Sequence, residues 1–516
     1  MKTIRLKKQL CQLVAINLIL VPSFQSLAIE TCLPRESDRP NTITVEQGSE
    51  KSLTGYVNWG SENEFTTSVQ WVGTATSYLS SKYSEDVSFR AFSPGIYELS
   101  KTVTSNLGNI SEIPYTLEVK YIPLQEVVRY ENTPPTVLVT DFGIYPDDGI
   151  DDSDAFLNLL NNLNDGDVVE FPKGEFVFEK PVRIFNNFAR NITIQGNEGT
   201  IIQKSIEVGT NPDSRGSLWY IDKSVGLTIQ NLKFKGIYNT VEEQYKWAND
   251  GVYMASATDL IIRQNHFFGF GDSCLRLNTS KYHDSPGIYA DNILVSNNTF
   301  EQCLQVSTTI KHSNFGGVNN LEFSDNSFIN MRGPLKLATR QPAQGIKVLR
   351  NKFMNGIGDA MNVIGYSNVD ISNNLIENYP NGYFINITPS AIRETLEIKD
   401  ININENVVLN NGFGIRIQPL DTHDEVIPMK NTVIENNYFE NTPSSSDSKF
   451  KSINIANYFL DVFSGIKVKN NSYWNQIDNS HDKFIDTYRL DKAAVNWVES
   501  DNTNIQLEPN SLRVPQ

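Results

Sequence analysis

Ile262-Arg263-Gln264-Asn265-His266-Phe267 is the stretch that decides the fold, because its pattern recurs seven more times along the chain. Each copy has an apolar residue, two variable residues, an asparagine, one variable residue and a second apolar residue. Successive asparagines are 33, 28, 25, 23, 32, 31 and 34 residues apart, and they are Asn265, Asn298, Asn326, Asn351, Asn374, Asn406, Asn437 and Asn471. A degenerate earlier copy spans residues 227–234. Self-similarity at this period is typical of a solenoid.

The repeat predicts a strand, a tight turn and a second strand in each unit. One unit cannot bury its apolar side, whereas stacked units about 4.8 Å apart share a continuous core. Asparagine suits the turn because it tolerates left-handed backbone geometry and because its amide can bond to the next unit. We therefore predict an all-β chain whose main part is a right-handed parallel β-helix of about ten coils, with variable loops that form the binding face.

The segment before the repeats, residues 139–176, resembles the entry segment of pectate-lyase-like parallel β-helices. In that family a similar Asp-rich stretch starts a short helix that covers the open end of the coil stack. Asp151 and Asp152 fit helix N-capping. The apolar residues that follow have helical spacing, and they are Ala155, Phe156, Leu159, Leu160 and Leu163. A catalytic role for the two aspartates is the weaker alternative, because capping accounts for them.

The first 28 residues have the features of an export signal. Residues 2–8 contain four basic residues, residues 10–21 are mostly apolar, and residues 26–28 form a small-residue cleavage site. The apolar run is too short to span a bilayer. We predict a secreted protein, extracellular or periplasmic, without a membrane span.

The charge balance limits the partners. Lys+Arg 44 against Asp+Glu 60 gives −16, and removal of the four basic residues of the signal gives −20. A chain this acidic is a poor general binder of nucleic acid, so we expect no nucleic-acid partner. We also predict a monomer. An anionic ligand would need a local basic patch.

The mature chain divides into two predicted domains. Residues 30–122 show short alternating strands between Gly, Ser and Asn turns. Residues 95–109 resemble the late strands of bacterial immunoglobulin-like or polycystic-kidney-disease-type domains, which implies an N-terminal immunoglobulin-like β-sandwich that acts as a spacer or a carbohydrate-binding module. Residues 123–136 form the predicted linker, and residues 137–516 form the β-helix catalytic domain.

One strand of each unit alternates between inward apolar and outward polar residues. The outward positions predict a ladder on one face that contains Arg and Lys but no acid: Tyr253, Arg276, Gln305, Lys336, Asn362, Asn386, Arg416 and Asn454. An extended acidic polysaccharide fits such a face in a chain of this net charge. An ordinary solvated sheet face is the alternative.

Four stretches within residues 276–340 carry a more specific resemblance. Residues 276–280, 300–303, 311–313 and 333–340 are similar to segments of polysaccharide lyase family 6, which contains alginate lyases and chondroitinase B. The resemblance covers about 65 residues. It implies a lyase acting on a uronic-acid-containing polymer, such as an alginate-like, capsule or biofilm matrix polysaccharide.

Carried onto this sequence, the resemblance makes Lys311 the catalytic base, Arg340 the acid and Arg276 a catalytic residue that binds substrate. The predicted substrate-binding residues are Lys336, Gln305, Tyr253, His312, Asn362 and Arg416. β-Elimination removes the proton next to a uronate carboxylate, and a lysine whose pKa is lowered by other cations can take it.

The cofactor prediction follows from one departure from that family. The family often places glutamates beside the base to hold calcium, whereas residues 303–307 contain no acid. Calcium is therefore a possible cofactor. The alternative is that Arg276 and Lys336 neutralise the substrate carboxylate in its place. We assign no residues to a metal site.

Two aspartates support a different chemistry. Asn249-Asp250-Gly251 and Gly271-Asp272-Ser273-Cys274 resemble segments of polygalacturonase-type glycoside hydrolases, whose paired carboxylates act as acid and base. Asp359 lies at an equivalent turn three coils further on. Here Ser273 replaces the family's third aspartate, and turn-ending aspartates are the structural alternative.

Two further functions stay open. A uronate C5-epimerase uses similar proton abstraction, although its Asp-Pro-His-Asp signature is absent, and a matrix adhesin would have no activity. Cys274 and Cys303 are predicted on adjacent coils, either as a disulfide or as two buried thiols.

Overall fold

The protein forms two compact units, residues 1–123 with 507–516 and residues 124–506. The predicted signal peptide, residues 1–28, lies outside the described residues. The computed structural model describes residues 41–46, 51–54, 57, 59, 63–73, 79, 81, 83–89, 95–120, 131–184, 189–205, 216–238, 249–278, 290–308, 317–388, 390–391, 397–418, 425–426, 428–441, 451–456, 463–475, 483–488 and 498–505.

The described part of the N-terminal unit is all β, as the turn-rich sequence predicts. Its strands are β1 (Asn41–Glu46), β2 (Lys51–Leu53), β3 (Thr66–Gly73), β4 (Val87–Phe89), β5 (Gly95–Ser105) and β6 (Ile110–Lys120). One sheet has the order β1-β6-β5-β3, and β2 pairs with β4. Trp71, Phe89 and Leu117 lie in its core. The immunoglobulin-like topology stays a prediction.

The second unit is a right-handed parallel β-helix with three faces, which confirms the predicted fold class. Face 1 contains β10 (Val182–Ile184), β13 (Trp219–Asp222), β16 (Val252–Ala255), β19 (Ser273–Asn278), β22 (Gln305–Ser307), β35 (Lys451–Ala456) and β38 (Lys483–Tyr488). Face 2 contains β7 (Val137–Leu138), β8 (Val168–Phe171), β11 (Thr193–Gly196), β14 (Thr228–Gln230), β17 (Thr258–Arg263), β20 (Ala290–Ser296), β23 (Val318–Ser324), β30 (Ile398–Asn404), β33 (Met429–Glu435), β36 (Phe463–Lys469) and β39 (Val498–Ser500).

Face 3 and four bent strands complete the coils. Face 3 contains β9 (Gly174–Phe178), β12 (Thr200–Lys204), β15 (Lys233–Lys235), β18 (His266–Phe268), β21 (Thr299–Glu301), β24 (Ser327–Ile329), β26 (Lys352–Met354), β34 (Tyr438–Asn441), β37 (Ser472–Asn475) and β40 (Thr503–Ile505). Face 1 continues into face 2 through β25 (Leu335–Leu349) and β27 (Met361–Ser372), and face 3 continues into face 1 through β28 (Leu375–Thr388) and β31 (Val407–Ile417). A separate antiparallel pair is formed by β29 (Ser390–Ala391) and β32 (Glu425–Val426).

A stack of buried rings fills the inside of face 3. Phe234, Phe267, Phe300, Phe328 and Phe353 lie in register on successive coils, with neighbouring ring centroids 4.6–5.1 Å apart. These are the second apolar positions of the repeat and of its degenerate copy, so the repeat places identical side chains at the coil spacing. Stacked aromatic pairs of this kind stabilise beyond their area burial.

The repeat asparagines form a buried ladder between faces 2 and 3. In each coil the amide nitrogen donates to the amide oxygen of the next asparagine, as from Asn351 to Asn374 at 3.1 Å. The same side chain donates to a backbone carbonyl of the preceding coil, as from Asn351 to Phe323 at 2.9 Å. Amide bonding between coils therefore confirms one of the two reasons for asparagine.

The other predicted reason, that the ladder asparagine itself adopts left-handed backbone geometry, was wrong. The left-handed residue is the one before each ladder asparagine, with φ between 51° and 59°. Gln264, Arg350 and Glu405 are among these residues, so the backbone position accepts several side chains and the asparagine is required for its amide.

The ladder also differs from the sequence pattern at both ends. In the degenerate copy, Leu232 takes the ladder position and its N–H donates to Asn265. Asn231 is the left-handed residue, with φ 59°. At the other end Asn471 donates to Asn502, which extends the ladder by one coil. Within the described residues, face 3 stacks twelve strands when the first parts of β28 and β31 are counted with its ten own strands. The repeat predicted about ten coils.

The entry segment covers the end of the coil stack with a 3-10 helix η1 (Val139–Phe142) and a helix α1 (Ser153–Asn161). The expected helix face is confirmed for Phe156, Leu159 and Leu160, which are buried in the core. Ala155 is only partly buried, and Leu163 lies beyond the end of the helix at Asn161. Asp151 accepts hydrogen bonds from the backbone N–H groups of Ser153 and Glu179. Among the described residues, none of the helices is long and apolar enough to cross a membrane.

Asp152 does not cap the helix with its side chain, which corrects the second capping assignment. Its carboxylate is 2% exposed and accepts a hydrogen bond from the N–H of Val177 at 3.1 Å. Burial, opposed by that hydrogen bond, together with the nearby Asp148 and Asp151 raises the pKa of Asp152 to about 7.

The described part of the predicted linker, residues 131–136, bonds to the β-helix. Thr136 donates its backbone N–H to Val168 and its hydroxyl to Asp167. Thr133 donates its N–H to Gln195. Residues 131–136 therefore belong structurally to the β-helix unit.

Asn351→Ala should lower the free energy of unfolding by about 2–4 kcal/mol, because it leaves buried amide and carbonyl groups of the neighbouring coils without partners. Asn402→Ala removes a partly exposed amide with one bond to Asp370 and should cost less than about 1 kcal/mol. Urea unfolding of both variants measures the difference. Equal losses would contradict the structural role of the ladder.

Asp152→Asn should stabilise the protein at alkaline pH. Because the pKa of Asp152 is higher in the folded than in the unfolded state, its contribution to stability falls as pH rises from about 4 to about 7. Asparagine keeps the acceptor for Val177 without the charge. Urea unfolding at about pH 8 should show a gain of roughly 2–4 kcal/mol over wild type that disappears near pH 4. A constant difference across this range would contradict the buried-acid assignment.

Candidate functional site

The outward ladder of face 1 exists and has one register error in the predicted order. Ser307, and not Gln305, lies opposite Arg276 and Lys336, because the pairing of β19 with β22 shifts at a bulge between Ser273 and Leu275. The observed ladder is Tyr220, Tyr253, Arg276, Ser307, Lys336, Asn362, Asn386, Arg416, Asn454 and Asp486. The last position, Asp486, is assigned from backbone register alone, and it is an acid that the predicted ladder did not include.

Arg276 lies between two aspartates from different coils. One guanidinium nitrogen contacts Asp250 at 3.1 Å and Asp272 at 2.9 Å, and Nε donates to Asp250 at 3.2 Å. The two carboxylates are 6% and 3% exposed. Because both contacts share one nitrogen, the two carboxylate oxygens are at most about 6 Å apart. The structure thus brings the predicted hydrolase pair and the predicted lyase arginine into one ionic cluster.

Local sequence features fix this cluster. Asp250 accepts a hydrogen bond from the N–H of Ser273 at 3.0 Å. Gly251 follows it where a Cβ atom would lie 2.4 Å from the carbonyl oxygen of Cys274, so only glycine allows the two coils to approach. These contacts explain why Asp-Gly on one coil faces Asp-Ser-Cys on the next.

Cys274 and Cys303 form a disulfide, with their Cα atoms 5.7 Å apart. Of the two options left open by the sequence, the structure has the bridge. Cys274 lies within the bulge that displaces Gln305, so the covalent link holds the irregular part of β19 against the next coil.

Lys336 and Gln305 extend the cluster along face 1. Gln305 donates to Asp272 at 3.0 Å, so it reaches the site despite its shifted register. Burial and the charge of Arg276 lower the pKa of Lys336, and Asp272 opposes the shift. Within the part of the chain that the structure describes, the Lys336 amine has no hydrogen bond or ion pair.

Tyr253 supports Arg276 more than it faces solvent. Its ring is 6% exposed, packs edge-on against Tyr220 and lies 5.8 Å from the Arg276 guanidinium carbon. Its role in substrate binding stays a prediction.

Asp359 does not join the aspartate pair. It is three coils from Asp272, or about 14 Å at the interstrand spacing. Its carboxylate accepts a hydrogen bond from the N–H of Tyr383 at 3.0 Å, which is the turn-ending role expected as the alternative. Asn362 and Arg416 lie on the same face, and both contact Asn386.

The structure does not place the side chains of three predicted site residues. Lys311 and His312 lie outside the described residues, and the side chain of Arg340 is not described, although its backbone lies in β25. Their assigned roles stay predictions.

The described residues around Arg276 do not fit a resident calcium ion. No group of three or more acidic, histidine or cysteine side chains able to hold a metal comes together in the described ranges. Asp250 and Asp272 already bond to Arg276. We derive no step through calcium.

The sequence did not reveal that the basic ladder is partly neutralised. Arg276 is paired by acids that lie at strand starts, outside the strict ladder positions. The signal that could have indicated it is the spacing Asp272 to Arg276, four residues apart across a bulge. The remaining ladder cations are Lys336 and Arg416.

Arg276→Met should destabilise the β-helix by about 3–5 kcal/mol at alkaline pH, because two buried carboxylates lose their cation. The loss should shrink near pH 5, since carboxylates this close share a proton when the arginine is absent. Arg350→Met removes an arginine that is 42% exposed and pairs with Asp325, and it should cost less than about 1 kcal/mol. Urea unfolding at both pH values is the measurement. A small, pH-independent loss for Arg276→Met would refute the bridge.

Comparison of the sequence with family models and with curated proteins finds no match. Solved structures do match. An exopolygalacturonase from Thermotoga maritima is 13% identical and covers 68% of this chain and 90% of its own, with a TM-score of 0.50. A GH87 α-1,3-glucanase from Streptomyces thermodiastaticus is 13% identical (88% and 86% covered, TM-score 0.48), and the A-module of a mannuronan C-5 epimerase from Azotobacter vinelandii is 12% identical (72% and 100% covered, TM-score 0.47). At this identity the likeness concerns architecture, so the chain shares the right-handed parallel β-helix fold of the exopolygalacturonase.

Proposed function

We propose that the chain is a polysaccharide lyase that binds a uronic-acid-containing polymer along face 1 and cleaves it by β-elimination. One solved structure with the same fold is named as an exopolygalacturonase, and we extend a polysaccharide substrate from that name to this chain. We also propose secretion, from the export features of residues 1–28.

Lys336 carries the proposal. A lysine acts as a base only when its amine is neutral, and the pKa of Lys336 is lowered by burial and by the neighbouring Arg276. It lies on the outward ladder two coils from Arg276, where a polymer on face 1 would reach it. We assign the base to Lys336 on this lowered pKa and this position, and Lys311 stays the base that the family resemblance implies.

The proposed step balances without a further reactant. The Lys336 amine takes the proton from C5 of the uronate, the electron pair of that C–H bond forms the C4=C5 double bond, and the C4–O bond to the departing sugar breaks. The departing oxygen takes a proton from Arg340, the predicted acid, or from water. The products are an unsaturated uronate end and a new sugar hydroxyl.

Arg276 has a positioning role in this proposal. Its guanidinium bonds to Asp250 and Asp272, and its charge favours the neutral form of Lys336. Direct contact of Arg276 with substrate stays a prediction, because these two carboxylates already occupy it.

Hydrolysis by Asp250 and Asp272 is the second candidate, favoured by the separation of at most about 6 Å between their oxygens. Retaining glycosidases place their carboxyl groups about 5–5.5 Å apart. One of the pair must then donate a proton, whereas both oxygens here accept hydrogen bonds from Arg276. We therefore prefer elimination.

Lys336→Gln should reduce turnover of the best uronate polymer by about 100-fold or more, because the neutral amine is lost. The assay follows the ultraviolet absorbance of the unsaturated uronate and, in parallel, new reducing ends. The wild-type rate should rise with pH until Lys336 is deprotonated, below the ordinary lysine value of about 10.4. Hydrolysis would instead slow at alkaline pH as the acid loses its proton.

Lys347→Gln is the matched control, since Lys347 is exposed on the same strand β25 but on face 2, and this variant should keep the wild-type rate. Formation of reducing ends without the ultraviolet signal, if it is abolished in Asp272→Asn, would contradict the lyase and indicate a hydrolase. Inversion at C5 without chain cleavage would indicate an epimerase. Full activity of Lys336→Gln combined with an inactive Lys311→Ala would move the base to Lys311.

A further inference from the structure

We infer that Arg416 forms a second anion-binding subsite on face 1, pre-organised by Tyr383, Phe413 and Asn386, which takes the carboxylate of a uronate residue distant from the Asp250–Asp272–Arg276 cluster. The choice of a uronate ligand rests on the proposed function, whereas the subsite itself rests on the contacts that hold Arg416.

The Arg416 guanidinium is held at two points. Its Nε donates to the amide oxygen of Asn386 at 3.0 Å, and its central carbon lies 4.3 Å from the centroid of the Tyr383 ring. Asn386 is itself fixed, because its amide nitrogen donates to Asn362 at 3.0 Å. A guanidinium oriented by stacking and by one hydrogen bond retains two terminal nitrogens that match the two oxygens of a carboxylate.

The ring under Arg416 is also fixed. Tyr383 stacks on Phe413 of the next coil, with centroids 4.7 Å apart. The N–H of Tyr383 donates to Asp359. Tyr383, Phe413 and Arg416 are all partly exposed on face 1. The guanidinium of Arg416 packs on the Tyr383 ring, and the Phe413 ring packs on the Tyr383 ring in turn. This arrangement lowers the entropy lost when the arginine binds an anion.

The charges differ between the two arginines of the ladder. Arg276 is neutralised by Asp250 and Asp272, whereas Arg416 has no ion pair with any residue in the described ranges. The next ladder residue, Asn454, is 8% exposed, and its amide oxygen has no hydrogen-bond partner there. A guanidinium without an acidic neighbour in the described ranges suits the carboxylate of a bound sugar.

Arg416 is five coils from Arg276, or about 24 Å at the interstrand spacing. Lys336 lies between them. A polymer that contacts Lys336 and Arg416 together must therefore extend across several sugar residues, which short oligosaccharides cannot do. The inference predicts affinity that grows with chain length and depends on Arg416 only for long ligands.

The test measures binding by calorimetry, with defined uronate oligosaccharides that are either too short to span the two sites or long enough to do so. Arg416→Gln should weaken the long ligand about tenfold and leave the short ligand unchanged, which corresponds to one lost charged contact. Tyr383→Leu should weaken the long ligand about threefold and Tyr383→Phe should restore it, because phenylalanine keeps the ring face. Arg350→Gln, which removes an equal charge that pairs with Asp325, is the control and should bind as wild type.

Equal binding of the long ligand by wild type and Arg416→Gln would overturn the subsite, as would equal binding of a carboxyl-reduced polymer by wild type. Because binding is measured apart from turnover, the two proposals fail separately. Arg416-dependent binding without any product supports the subsite and contradicts the lyase. Turnover that is independent of Arg416 and of ligand length supports the lyase and contradicts the subsite.

Discussion

The hydrogen bond from one buried asparagine amide to the next is the interaction on which the structure depends. Each amide donates to its successor and to a backbone carbonyl of the coil before, so it fixes both the distance and the register between coils. Loops of very different length can then be inserted between the strands without moving the faces. Leaving one such amide without its partners costs the desolvation of several buried polar groups, which explains why the turn tolerates variation at the preceding residue but retains asparagine.

Register fixed in this way brings residues far apart in sequence to one surface. Asp250, Asp272 and Arg276 meet only because two coils are held in line, and the disulfide between Cys274 and Cys303 reinforces the same place. The consequence is electrostatic. Arg276 keeps two carboxylates in a buried position, and its positive charge, together with burial, favours a neutral amine on Lys336. This charge pattern is the electrostatic basis of the role proposed for Lys336.

The fold could be predicted because its signal repeats. Eight asparagines, five stacked phenylalanines and the alternation of face 1 each follow from short local patterns. The ends of the coil stack could not be read so well, because Leu232 occupies the ladder position near the start and Asn502 lacks the apolar flanks of the pattern near the end. The entry helix was predicted on the right residues, although Asp152 uses its carboxylate for a neighbouring strand.

The site was predicted less completely, for physical reasons. The ladder position predicted for Gln305 was wrong because a bulge shifts the pairing register of β19 with β22. The alternation of inward and outward residues along one strand does not reveal such a shift. The ion pairs of Arg276 were missed because its partners lie at strand starts, where side-chain direction depends on turn geometry. Asp250 and Asp272 were correctly expected on neighbouring coils, and Lys336 was correctly placed on the ladder of face 1.

The most direct measurement is the titration of Lys336 by NMR in protein with isotope-labelled lysines, with Lys336→Gln used to assign the signal. The account predicts a pKa clearly below the ordinary lysine value of about 10.4, because burial and Arg276 disfavour the ammonium. A value at or above the ordinary one would contradict it, since Lys336 would then be a charged surface group and the cluster would contain no base.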